Sequence, residues 1–100
     1  MSAAVVVHVE VKDPERFKEY SAKAPATVAA HKGEFIVRGR VAEVFCGEHG
    51  HKQAVAIRFS SVEAARAWYR SPEYQALIPN RDAAAEMTFV CLEELPPPGR

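Results

Sequence analysis

From Ala4 to Val11 the chain reads AVVVHVEV, with valine at positions 5, 7, 9 and 11 and Val6, His8 and Glu10 between them. Successive side chains of a strand point to opposite faces. The run therefore describes a strand with two unequal sides, one of valine alone and one that carries an imidazole and a carboxylate. The valine side suits burial beneath helices. Asp13-Pro14-Glu15 follows at once: an N-cap, a proline fitted to the first helical turn, and an acid where the helix dipole favours one. Phe17, Tyr20, Ala24 and Val28 then recur at spacings of three and four, the apolar stripe of a helix that runs to Gly33. Pro25 predicts a kink near Lys23 to Pro25, because proline removes a hydrogen bond from the helix ladder.

Glu34 to Phe45, EFIVRGRVAEVF, reads as a long bent strand with a bulge or close backbone approach at Gly39. Gln53 to Phe59 alternates and pairs with it as a hairpin across the turn Gly47-Glu48-His49-Gly50. A capping box from Ser60 to Glu63 opens a second helix, whose buried stripe is Val62, Ala65, Trp68 and Tyr69. Ser71-Pro72-Glu73 stops it and starts a short helical piece. Arg81 to Glu86 adds a turn before a last strand, Met87 to Glu93. The order strand, helix, strand, strand, helix, strand is α+β, the ferredoxin-like split βαβ arrangement (βαββαβ), with four antiparallel strands and both helices on one face.

That arrangement leaves one sheet face without cover. A second copy is the simplest cover, so the expectation is a homodimer, a dimeric α/β barrel whose facing sheets enclose a cavity. Residues 1–95 are expected to form a single domain and residues 96–100 a flexible Pro-rich tail. Thirteen basic and 13 acidic side chains leave no net field to steer nucleic acid or an anionic membrane. No signal peptide is visible and no apolar run approaches the ~20 residues of a membrane span. The expected location is the cytoplasm, where Cys46 and Cys91 stay reduced.

Several segments together resemble one family: Val11-x-Asp13-Pro14, Phe17-x-x-Tyr20, Val37-Arg38-Gly39, and Trp68-Tyr69-x-Ser71-Pro72-Glu73-Tyr74. Their combination is similar to the DUF1330 family of small proteins across nearly the whole chain. The resemblance implies a dimeric α/β barrel and no established activity. Where the family often has Arg-Gly-Gly, this chain has Arg38-Gly39-Arg40, which adds a charge beside the expected cavity.

Two residues stand out as catalytic candidates. His8 can exchange a proton near neutral pH and act as a general base or ligand anchor; otherwise it is an interface histidine bonded to the other subunit. Arg38 offers a forked donor to a carboxylate or enolate-like oxygen, or else pairs with an acid such as Glu10. Tyr20, Tyr69 and Arg81 are the ligand-binding candidates, with Arg81 closing one end of the cavity. Trp68 reads as core, Ser71 as a cap, and Cys91 as a buried, inert thiol. Cys46, His49 and His51 offer three zinc-like ligands where a structural site wants four, so the loop reads as a hairpin turn and no metal or cofactor is expected. The leading expectation is a homodimer that binds a small anionic or oxygen-rich organic molecule between sheet and helices or between sheets. Cofactor-independent acid/base chemistry by His8 and Arg38 would extend it. The alternative is a non-catalytic dimerisation or binding module with a filled interior.

Overall fold

Valines 5, 7 and 9 are buried as the alternation requires, and the strand they define lies at the centre of the molecule. The computed structural model describes residues 2–96; of the expected Pro-rich tail, residues 97–100 lie outside the described residues. The elements are β1 (Ala3–Val11), α1 (Pro14–Ala30), β2 (Glu34–Arg40), β3 (Gln53–Phe59), α2 (Val62–Arg70), α3 (Pro72–Gln75), α4 (Ile78–Ala84) and β4 (Ala85–Glu93). The four strands are ordered β2-β3-β1-β4 and every neighbouring pair is antiparallel. This is the ferredoxin-like α+β topology expected from the sequence.

The caps explain where the helices start. The Asp13 carboxylate accepts hydrogen bonds from the N–H groups of Glu15 (3.2 Å) and Arg16 (3.3 Å). The second helix begins one residue later than expected: Ser61, not Ser60, accepts from the Ala64 N–H at 3.0 Å, so the reciprocal box with Glu63 does not form. Ser71 closes α2 and caps α3. The helix α1 continues through Pro25 to Ala30 as one element. At its end Gly33 is indispensable for space, since a Cβ there would sit 2.6 Å from Phe59 Cε1 and 2.7 Å from Val28 Cγ1.

The core lies between the helices and the valine face of the sheet. Trp68 is its hub: the indole packs against Phe59 and Tyr74, and its Nε1–H donates to Thr27 Oγ1 at 3.0 Å. Thr27 in turn donates to the Ala24 carbonyl at 2.7 Å, so the buried polar atoms joining α2 to α1 are all paired. Each buried valine of β1 contributes about 1.5–3 kcal/mol on leaving water.

Two strand expectations are corrected. The long strand to Phe45 ends at Arg40, and 41–52 form an irregular arm closed at its base by Val41 N–H donating to the Lys52 carbonyl at 2.7 Å. The bulge lies not at Gly39 but between Phe35 and Val37, where Ile36 is the extra residue. Cys91, expected to be buried, is exposed because β4 is an edge strand.

Candidate functional site

Between α1 and the β2 side of the sheet lies a cavity of about 540 Å³. That volume is in the range of small-molecule sites, ~300–1,000 Å³. Its floor is Val7, Val9 and Val55, α1 supplies Tyr20 and Ser21 to its wall, and Phe89 lies on β4's side. The charged residues lining it are Arg38 and Arg40 of β2, and neither has an acidic partner among the described residues.

Arg38 reaches this cavity because of the bulge. Glu34 pairs with Arg58 and Phe35 with Ile57; an unbroken register would then set Arg38 opposite Ala54, on the face that carries His8. The extra residue at Ile36 shifts the count by one, so Arg38 pairs with Val55 instead. Val55 pairs with Val7 and Ala54 with His8. Because side chains alternate, a one-residue shift sends Arg38 to the helix face. His8 and Arg38 therefore lie on opposite sides of the sheet. The expected base and oxyanion partner do not form a pair, and Arg38 makes no ion pair with Glu10, which shares the face of His8.

Tyr20, Tyr69 and Arg81, the ligand-binding candidates, gather around a fourth residue, Tyr74. Arg81 Nη1 donates to Tyr69 Oη at 3.1 Å and to Tyr74 Oη at 3.2 Å, while its Nε–H donates to Asp82 Oδ1 at 3.1 Å. Tyr74 Oη and Tyr20 Oη are 2.7 Å apart. The guanidinium stacks on Phe89 with Cζ 4.9 Å from the ring centroid, and its side chain is only 11% exposed. Burial works against its charge, but the hydrogen bonds and Coulombic attraction of Tyr69 and Tyr74 outweigh this and hold its pKa above the ordinary value. Burial likewise pushes the Tyr20 and Tyr74 phenols up, so both are neutral at physiological pH. Tyr74 was not singled out from the sequence; of the chain's three tyrosines, Tyr69 and Tyr74 bond Arg81 and Tyr20 joins them through Tyr74.

His8 meets a different group on the open face. Its Nδ1 lies 3.1 Å from His49 Nε2, and His51 N–H donates to His49 Nδ1 at 3.2 Å. With Nδ1 accepting, a neutral His49 carries its hydrogen on Nε2 and donates it to His8, an assignment made from the hydrogen-bond network. The arm thus folds back onto β1, and His8 is bonded to His49 of its own chain. Both ring nitrogens of His49 are engaged, and among the described residues no group of three or more His, Cys, Asp or Glu side chains is arranged to hold a metal.

A family model described as "Domain of unknown function (DUF1330)" matches residues 2–95. The chain belongs to the DUF1330 family. No curated protein sequence matches it. Among solved structures, this DUF1330 chain is similar to a protein of unknown function from Rhodopseudomonas palustris, with 16% identity, a TM-score of 0.81, and coverage of 96% of this chain and 84% of that one. A dimeric ferredoxin-like protein of unknown function from Jannaschia sp. CCS1 gives 17% identity and a TM-score of 0.75 over 94% of this chain and 100% of that one. SnoaB, a cofactor-independent oxygenase from Streptomyces nogalater, gives 16% identity and a TM-score of 0.67 over 99% and 98%. At such identities the likeness is one of fold. No helix of the described residues is long and apolar enough to cross a membrane.

Proposed function

We propose that this DUF1330 protein is a homodimer that binds a small, oxygen-rich organic anion in the cavity between α1 and the sheet. The observation that carries the reading is the ≈ 540 Å³ space with an apolar floor and two unpaired arginines, Arg38 and Arg40, in its wall. Arg38 and Arg40 are exposed in the single chain, yet a guanidinium fork suits a carboxylate, and a hydrogen bond to a charged group contributes about 1.5–3 kcal/mol. Side-chain filling of the space between helix and sheet has less support, because this space is open. His8 and the arm belong to the opposite face, beside the surface a second copy would cover. The acid/base extension loses the pairing it relied on.

Calorimetric titration with naphthoate, a flat aromatic carboxylate, tests the proposal. Arg38→Ala should weaken binding by about tenfold, and Val55→Trp, which fills the floor, should abolish it. Unchanged affinity in Val55→Trp, or no binding of naphthoate or comparable carboxylates to the native protein, would rule the cavity out as a ligand site.

A further inference from the structure

We infer that Tyr20 is the fixed hydrogen-bond donor of this cavity, and that it selects ligands carrying an acceptor oxygen, a ketone or enolate, on an aromatic acid. The inference rests on the cavity reading and adds to it a ligand class and a recognition residue.

A guanidinium has donors and no acceptor, so Arg81 Nη1 gives hydrogen bonds to Tyr69 Oη and Tyr74 Oη, and both oxygens accept. Tyr74 is 0% exposed, and its own hydroxyl hydrogen needs a partner. The acceptor beside it is Tyr20 Oη, 2.7 Å away. If Tyr20 donated across that contact instead, the Tyr74 hydrogen would be buried without a partner, at a cost of about 1–3 kcal/mol. The bond therefore runs from Tyr74 to Tyr20.

Tyr20 then accepts through its oxygen and keeps its hydrogen, for which the described residues supply no acceptor. The residue is 7% exposed and lines the cavity. Its hydrogen is thus available to whatever occupies that space. The sequence Arg81 to Tyr74 to Tyr20 is polarised in one direction by the guanidinium at its origin, and successive hydrogen bonds strengthen one another. A seat of this kind suits a carbonyl or enolate oxygen and disfavours an N–H or an alkyl group. Arg38 and Arg40 in the same cavity suit a carboxylate, and Phe17, Trp68 and Phe89 among its lining residues suit a ring. Together these describe a flat aromatic keto acid with its ketone remote from its carboxylate.

The test uses two probes of equal shape: an acetylnaphthoate with the ketone on the ring distant from the carboxylate, and its isopropenyl analogue, in which a methylene replaces the ketone oxygen. The native protein should bind the ketone about tenfold more tightly, with its carbonyl stretch lowered in the infrared difference spectrum. Tyr20→Phe should bind both probes alike, at the native affinity for the isopropenyl compound, with the stretch restored. The infrared shift on the native protein needs no variant and keeps the test decisive if Tyr20→Phe folds poorly. Equal affinities and an unshifted carbonyl would overturn the Tyr20 assignment while leaving the cavity reading intact. Failure of both probes to bind would overturn the cavity reading and this inference with it.

Discussion

Tyr20 and Tyr74 share one hydrogen bond in a place with almost no water, and the consequence is measurable in alkali. Burial is the largest cause of the upward shift in both phenols, and the nearby Arg81 guanidinium pulls both values down by less. Their folded-state values lie above the unfolded value of about 10. Stability is therefore fully present below about pH 10 and is lost as pH rises from there through the folded-state values, because the unfolded chain releases those protons first. Urea unfolding should give a constant midpoint from neutral pH to about 9.5 and a falling one beyond. The double variant Tyr20→Phe/Tyr74→Phe should lose most of that alkaline limb. Phenolate absorbance from both residues appearing while the circular dichroism is still native would contradict this picture. The sequence pointed to Tyr20, Tyr69 and Arg81 through helical spacing and position, but Tyr74 hid inside what looked like cap chemistry after Ser71-Pro72. Only the packing of α1, α2, α3 and α4 together showed that it is the central link.

At the scale of elements, two glycines exchange the roles that local pattern suggests for them. Gly39 sits in β2 and looks like a strand irregularity, yet a Cβ there would meet nothing within 4 Å. Gly33 looks like an ordinary helix stop, yet it is pressed between the buried Phe59 ring and Val28. Gly33→Ala should therefore destabilise the protein by about 1–3 kcal/mol through overpacking, which in a chain of this size lowers the melting temperature by about 4–8 °C per kcal/mol. Gly39→Ala should change it by less than about 0.5 kcal/mol. Thermal unfolding of the two variants side by side decides the matter, and equal losses would refute it. The bulge at Ile36 belongs to the same scale: one extra residue in an edge strand moves a guanidinium from one side of the sheet to the other.

For the whole molecule the outstanding feature is the sheet face without helices. Val37, Val90 and Leu92 are 60%, 42% and 49% exposed there; Val37 and Val90 share one line of the register with Ala56 and Val6 between them, and Leu92 lies on the next line of that face. An apolar surface of this kind is what a second copy would cover, and the proposed homodimer makes a direct prediction. Sedimentation velocity should find twice the chain mass for the native protein and the single-chain mass for Val90→Lys, with the far-ultraviolet spectrum unchanged, since the substitution leaves the helix-side core alone. A native protein that sediments as one chain at micromolar concentration would end the dimer proposal.

By itself the sequence determined what depends on neighbours along the chain. The valine alternation of β1, the Asp13 and Ser71 caps and the apolar stripes of α1 and α2 each report which residues share a face within one element, and the element order then leaves few topologies. The tertiary structure alone decided how elements register against one another. Nothing local marks Ile36 as the extra residue, so nothing local shows that Arg38 turns away from His8 and toward the helices. Nothing local brings His49 from the arm onto His8, or side chains of α2, α3 and β4 around Arg81. Those placements follow from packing between segments distant in the chain, where close contact and the pairing of buried polar groups choose one arrangement among several that the local pattern permits.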